Sequence, residues 1–406
     1  MSYRKRTTVA GIAACATVLI SACGSSGSGS GTSGSSTATS ASSVNVLAIL
    51  DTTGPTKAFG TQQLAGIEGA AKYFNTHGGV DGRKINVTVV SDNGDPATAV
   101  NDLIQQMSTN PDKYAMVYPG SEGTETTALI PVLAKYHVIG IALDDGSGAC
   151  VKASACPNVF SNAGPASIPE AEAANWMKQK GFTKAGVLEE EIDFTESETG
   201  PILSSLSSVG IPDKLVTFSA TAVDVTAEMS ELKSDGANVV FAEALGASAG
   251  YVLKARASLN WNVPVLFDIA GSALDLTTLA PAADVTNSYQ TLCPCAVSSI
   301  DTPGIDAFNQ LEPGTLGPFP ANLVGDGWDP IVLLANAVEQ AKSTNYQALI
   351  AAIQNLDSAG QNDSLYIETR HHRYSATDHE NLGQSTSDFV IMPAGPIKGG
   401  QVQEGT

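Results

Sequence analysis

The chain predicts an α/β fold of two similar, doubly wound parallel-sheet lobes, and three observations predict it. Short apolar runs alternate with stretches of helical periodicity, as in repeated β-α-β units. The alternation breaks after residue 143 and restarts near 169. The globular part has about 360 residues, more than one hydrophobic core usually serves.

Each element has its own local reason. Val44 to Leu50 is almost continuously apolar, as a strand buried on both faces would be. Leu64, Ile67, Ala71 and Phe74 recur at helical spacing, and His77-Gly78-Gly79 ends that helix. Residues 84–91 alternate Ile85, Val87 and Val89 as a second strand. Asp95-Pro96 pairs an N-cap with proline at the first helical position, and the helix runs to about Met107. A strand over 114–118, a helix over 124–135 and a strand over 138–143 complete the first unit. The second unit reads as helices over 169–180, 196–209, 225–234 and 247–258. Strands over 185–188, 215–218, 238–242 and 264–267 lie between and after them. Beyond 296 the pattern loosens into helices over 302–311, 326–343 and 346–354 and a strand over 389–393. Open sheets of this kind bind ligands at the carboxyl ends of their strands, and two facing lobes make a cleft.

The N-terminus states an address. Arg4, Lys5 and Arg6 precede a short apolar stretch over 9–20, the layout of a secretory signal peptide. That stretch is too short for the roughly 20 residues that span a bilayer. Ile20-Ser21-Ala22-Cys23 resembles the lipobox of bacterial lipoproteins, which implies lipidation of Cys23 and a mature chain starting there. Every residue from 24 to 43 is Gly, Ser, Thr or Ala, a flexible tether. Its reach is roughly 25 Å. The expected domains are thus a signal peptide (1–22), a lipidated Cys and tether (23–43) and the body. The expected location is the outer face of the cell membrane.

The net charge of −20 argues against nucleic acid, which selects a basic face. Of six Cys, Cys15 lies in the signal peptide and Cys23 at the lipid site, leaving Cys150, Cys156, Cys293 and Cys295. Export makes disulfides the default. Cys150 with Cys156 closes an easily formed loop, whereas Cys293-Pro294-Cys295 would make a strained local bridge, and its pairing stays open. His371, His372 and His379 lack the tight spacing of a zinc motif, and Arg370 and Arg373 would repel a cation. No metal and no cofactor are expected. Glu189-Glu190-Glu191 with Asp193 is an acidic cluster after a strand that reads first as a solvated face and second as part of a cleft. No motif assembles a nucleophile, base and oxyanion hole, so no enzyme is expected.

Several segments combine into one pattern. Gly54-Pro55 through Phe59-Gly60 follows the first strand. Gly66 to Asn75, Gly78-Gly79-Val80-Asp81-Gly82-Arg83-Lys84 and Asp92-Asn93-Gly94-Asp95-Pro96 follow in order, with Ala99-Val100 beyond. This succession resembles the type I solute-binding proteins of ABC importers, in the branched-chain amino-acid and amide-binding family. The match is dense over 44–142, thins through the second lobe and is loose after about 297.

The resemblance implies two lobes joined by crossing strands that close on a small-molecule ligand. Lobe 1 would comprise 44–163 plus 297–363, and lobe 2 would comprise 164–296 plus 364–406. It implies a monomeric, lipid-anchored receptor that delivers an amino acid, amide or small carboxylate to ABC permease subunits. A ligand sensor of the same fold that transports nothing is the alternative. The turn Gly120-Ser121-Glu122-Gly123-Thr124 ends a strand and opens a helix, so its backbone N–H groups and the hydroxyls of Ser121 and Thr124 suit a carboxylate or carbonyl oxygen. The family places its carboxylate-gripping serine there; the same turn would also serve as a plain helix cap. The first-lobe aromatic of the family appears as Phe59 and the second-lobe aromatic as Phe194, while a further Tyr is replaced near Leu245. The acid that holds the ligand ammonium falls near Ala270, with Asp268 the nearest acid. Asp326 and Trp328 sit where another loop reaches the cleft, and Asp144 or Asp145 could replace the ammonium grip.

Overall fold

The computed structural model describes residues 43–143, 148–317 and 319–403. The signal peptide, Cys23, the tether up to 42, Asp144 and Asp145 therefore lie outside the described residues.

The first lobe grows from its apolar strands. Val44–Leu50 (β1) is buried at nearly every position, as its composition requires. Lys57–Thr76 (α1), Ile85–Ser91 (β2), Pro96–Thr109 (α2), Met116–Pro119 (β3), Gly123–Tyr136 (α3), Ile139–Ala142 (β4) and Val159–Ser161 (β5) follow. The strands form one sheet in the order β2-β1-β3-β4-β5, parallel throughout. Asp95 caps α2, its carboxylate accepting the Thr98 N–H at 2.7 Å. Sequence reading missed β5: three residues long, it carries too little periodicity to be seen. Cys150 and Cys156 are disulfide-bonded just before it, with Cα atoms 4.9 Å apart.

The second lobe runs Ser167–Gln179 (α4), Ala185–Glu191 (β6), Asp193–Val209 (α5), Asp213–Ser219 (β7), Thr226–Asp235 (α6), Val239–Glu243 (β8), Ala247–Ser258 (α7) and Val265–Phe267 (β9). Two single-turn helices, Leu276–Leu279 (α8) and Ala282–Val285 (α9), lead to Ser288–Leu292 (β10). Cys293 and Cys295 are bonded to each other directly after β10.

The chain then returns to the first sheet. Pro303–Leu311 (α10), Asn322–Ala341 (α11), Tyr346–Ile353 (α12) and Leu356–Ala359 (α13) come before Val390–Pro393 (β11) and the hairpin Ile397–Lys398 (β12) with Gln401–Val402 (β13). The second sheet has the order β11-β10-β9-β8-β6-β7, parallel except for β11 against β10. The chain thus passes between the sheets after β5, after β10 and before β11.

Each sheet is covered on both faces. On the first, α1, α10, α11 and α12 pack on one side around Ile67, Phe308, Trp328 and Ile331, and α2 and α3 on the other around Leu103, Met107 and Leu129. On the second, α6 and α7 cover the face holding Leu188, Val240 and Phe267, and α4 and α5 the face holding Val187, Phe241 and Leu266. α1 and α11 approach backbone to backbone: a Cβ on Gly66 would lie 2.0 Å from the Val324 carbonyl, and one on Gly327 would lie 1.9 Å from that of Gln63.

Residues 364–406, expected with the second lobe, divide. Leu365, Tyr366, Ile367 and Tyr374 join the core of the first sheet, and His379 stacks on Phe160 of β5 at 4.1 Å. Only β11 enters the second sheet, while Ile397 and Val402 of the last hairpin return to the first core. The apolar positions here are too scattered to show which lobe they serve. The helix expected from 326 begins at Asn322, because Leu323 and Val324 extend its buried stripe.

Candidate ligand cleft

Five of the residues singled out by sequence, Phe59, Ser121, Thr124, Leu245 and Asp268, lie near the carboxyl ends of the parallel strands of one sheet or the other. At the first sheet, Asp51 ends β1 and is fully buried. It accepts hydrogen bonds from the N–H groups of Thr53 (2.9 Å), Gly54 and Thr56 (2.8 Å) and from the Thr56 hydroxyl (2.9 Å). Burial is the largest influence and raises its pKa, but these bonds together hold it below the usual carboxylate value. Asp51 thus shapes the loop that enters α1.

Ser121, at the end of β3, is buried. Its hydroxyl accepts the Asp51 backbone N–H at 2.8 Å and its carbonyl accepts the Gln63 amide at 3.0 Å. A Cβ on Gly60 would come within 2.8 Å of that hydroxyl, so the glycine allows the start of α1 to sit against it. The helix-cap reading of the Ser121 turn is the one the geometry builds. Glu122 and Glu125 form a reciprocal capping box on α3, and Glu122 N donates to Glu125 Oε2 at 3.2 Å. The helix N-terminus therefore already faces carboxylates of its own chain. Thr124 is exposed and its hydroxyl donates to Glu125. Asp92, just beyond β2, joins this acidic group: burial first, then Glu125 and Asp51, push its pKa up to about 6. Phe59 lies half-buried in the first turn of α1, two positions before the exposed Thr61.

At the second sheet the acids are denser. Glu189 and Glu190 are strand residues of β6 and are buried, so the expectation of a solvated charge run is corrected. Glu190 turns toward α7, where its carboxylate accepts the Leu245 N–H at 2.9 Å and the Ser248 hydroxyl at 2.8 Å. Glu191 is exposed and accepts the Thr217 hydroxyl. Glu189 and Glu243 are register partners on β6 and β8. Asp268, buried directly after β9, accepts the Gly271 N–H at 2.7 Å on Oδ1, while its Oδ2 meets no donor. Burial drives Asp268 up to about 7 and Glu243 up to about 9. Leu245 is half-buried in the turn after β8. Phe194 stands in the first turn of α5, and its side chain is outside what the structure describes.

Two expected site residues lie within a buried helix, past its first turn and not at its start. Asp326 and Trp328 belong to α11, and both are buried. Trp328 sits in the core beside Tyr73 and Phe308, and its indole N–H donates to the Leu365 carbonyl at 2.8 Å. Trp328 serves packing. The buried ring of Phe160, His379 and Tyr374 near the crossings was not singled out by sequence either. His371 bridges Asp357 and Asp363, and His379 bonds the Cys156 carbonyl, so these histidines are tied into the fold.

Sequence reasoning named Asp268 and the Glu189–Glu191 run but missed Glu243 and the pattern that unites them, acids ending successive strands. A signal was available: Val187-Leu188-Glu189, Phe241-Ala242-Glu243 and Leu266-Phe267-Asp268 each end an apolar run on an acid. Surface hollows elsewhere lie along the far end of α1, by Lys72, Asn75 and Asn86 and by Tyr73 and His77. They are at the amino ends of the strands, away from this chemistry. Among the described residues no helix is long and apolar enough to cross a membrane.

Comparison with known proteins agrees with this architecture. A family model described as periplasmic binding protein matches residues 43–384. The fold is similar to a type 1 periplasmic binding protein from Bordetella pertussis Tohama I, with 20% identity, 86% of this chain and 96% of that chain covered and a TM-score of 0.71. It is similar to the branched-chain amino acid transporter substrate binding protein LivJ from Streptococcus pneumoniae, solved in complex with isoleucine, with 15% identity, 89% and 98% covered and a TM-score of 0.67. It is also similar to an ABC transporter solute binding protein from R. palustris in complex with benzoate, with 18% identity, 89% and 95% covered and a TM-score of 0.66. No curated protein matches the sequence.

Proposed function

The chain belongs to the periplasmic binding protein family, and from that premise we propose that it is an exported receptor that closes its two lobes on a small polar ligand carrying an ammonium or amide group. It hands that ligand to an ABC permease and is held at the membrane through a lipidated Cys23. Members of the family are solute receptors and not enzymes.

The observation that carries the ligand class is the charge at the carboxyl ends. Asp51, Asp92, Glu122 and Glu125 gather at the first sheet, and Glu190 and Asp268 at the second. An ammonium or an amide N–H would find carboxyl and carboxylate acceptors at both sheets, whereas a ligand with only a carboxylate would meet the ionised Asp51 at the first. The start of α3, expected to take an anion, is capped by its own acids. A ligand carboxylate or carbonyl has a better partner at the N-terminus of α1, which no side chain of the described residues caps. Phe59 and Leu245 offer half-buried apolar surface for the rest of a small ligand. Of the neighbours, one was solved with isoleucine, which carries an ammonium, and another with benzoate, which does not.

A thermal-shift panel of amines, amino acids, amides and simple carboxylates at constant Ca2+ tests the reading. A ligand at about a hundred times its dissociation constant stabilises by roughly 2.7 kcal/mol. Shifts of a few degrees with an amine, amino acid or amide and none with acetate or benzoate support it. Shifts confined to simple carboxylates contradict it.

A further inference from the structure

We propose that Glu170, Glu198 and Glu243 form a buried site for one oxygen-preferring divalent cation, Ca2+ before Mg2+. This site is separate from the ligand grip, and nothing in the ligand reading is needed for it.

Alternation along the strands builds the first half. Val187, Phe241 and Leu266 point to the helix face made by α4 and α5. Two residues further along β6, β8 and β9, Glu189, Glu243 and Asp268 point to the same face. Glu189 pairs with Glu243, and Ala242 pairs with Phe267, so the three acids stand side by side at the carboxyl end. Like charges so placed repel. Glu170 from the first turn of α4 and Glu198 from α5 come down onto the row from above. One carboxylate oxygen from each of Glu170, Glu198 and Glu243 lies within 4.8 Å of the others. Two oxygens on one Ca2+ sit 2.3–2.6 Å from it, so they can be at most about 4.6–5.2 Å apart. The spacing fits a shared ion without rearrangement.

A second observation is independent of that spacing. Glu170 and Glu243 are almost wholly buried, and Glu170 Oε2 and Glu243 Oε1 meet no hydrogen-bond donor. Buried polar atoms are nearly always paired, so two orphaned carboxylate oxygens in one place call for a missing positive partner. The hydroxyl of Thr199 has one proton, yet it lies against Glu189 Oε2, Glu243 Oε2 and the Thr195 carbonyl. The site is rich in acceptors and poor in donors. No ion pair among the described residues reaches it. The buried Arg256 is spent on the carbonyls of Val263, Asp284, Thr286 and Asn287.

Without a counter-ion, burial forces these acids to hold protons: it raises Glu170 well above the ordinary value and Glu243 to about 9. A cation would replace those protons. The donor set is all oxygen, which does not favour zinc or copper. Mg2+ keeps several waters and a strict octahedron, whereas Ca2+ accepts six to eight oxygens in loose geometry, so a dry carboxylate cage favours Ca2+.

The test uses the mature chain stripped with a chelator and titrated with CaCl2 alone by calorimetry in buffers of different ionisation enthalpy, with melting temperature in parallel. Expected are saturable binding near one ion per chain, release of protons on binding and a rise in melting temperature. Glu170→Gln and Glu243→Gln keep the shape and lose at least tenfold in Ca2+ affinity, while Glu312→Gln on the surface changes nothing. No heat and no melting shift with the wild-type chain up to 10 mM CaCl2 overturns the proposal, whatever the variants do. Wild-type affinity in both glutamine variants overturns it as well. A response to Mg2+ or Zn2+ without one to Ca2+ overturns the choice of ion.

Discussion

The Ser121 hydroxyl accepts the backbone N–H of Asp51, so alanine at 121 leaves a buried donor without a partner. Such a loss costs about 1–3 kcal/mol. Ser121→Ala should lower the urea midpoint accordingly, even with no ligand present; an unchanged midpoint would assign the Asp51 contact no structural weight. His372 gives a pH signature. It is buried, donates from Nε2 to Asn162 Oδ1 at 2.7 Å, and burial holds its pKa down at about 3. In the unfolded chain it titrates near 6.5. Its neutral form therefore supports the fold fully above about pH 6.5, and that support is lost as pH falls toward the folded value. The stability advantage of wild type over His372→Gln should shrink between pH 7.5 and pH 5, read from urea midpoints; a constant advantage would contradict the burial account. At this scale the sequence was read unevenly. Asp95 shows its role because cap and helix are neighbours. Ser121 was located correctly at a strand end, but its partner is 70 residues away and no local pattern announces it. Trp328 was placed by resemblance, and only packing reveals it as core.

The contact of α1 with α11 rests on bare backbone. Gly66 and Gly327 leave no room for a methyl group, and overpacking of this kind costs typically 1–3 kcal/mol. Gly327→Ala should lower the melting temperature by several degrees in calorimetry; a wild-type melting temperature would mean that the helices can part at no cost. The loop closed by Cys150 and Cys156 restrains the unfolded chain by about 2 kcal/mol. All four body cysteines should resist thiol labelling in unreduced, denatured protein, and labelling of both Cys150 and Cys156 would refute the pairing. Strands and helices of the two parallel sheets were legible because burial on both faces makes strands uniformly apolar and leaves helices their stripe. β5, β10 and the last hairpin were not, since short or mixed-polarity strands take their pairing from distant neighbours.

At the scale of the molecule, the two sheets are joined by three crossings, and the proposed closure about them would add contacts from the second lobe to a ligand held by the first. A ligand shifts such an equilibrium only by its differential affinity for the closed state. The proposed lipid anchor would present that change at a surface: Cys23→Ser should leave the protein unprocessed or shed it to the medium, and native protein found in the medium with an unmodified N-terminus would refute the anchor. The order of elements and the two-lobed plan were readable from the chain, because each β-α unit is local. Most of the acidic lining was not, because Glu170, Glu198 and Glu243 are scattered in sequence and meet only once the second sheet forms. The central claim is that the lobes close on a small ligand. Small-angle scattering of the mature chain, with and without a compound that raises its melting temperature and at constant Ca2+, tests it most directly. A smaller radius of gyration at saturation is the predicted result, and an identical radius in both states would contradict it.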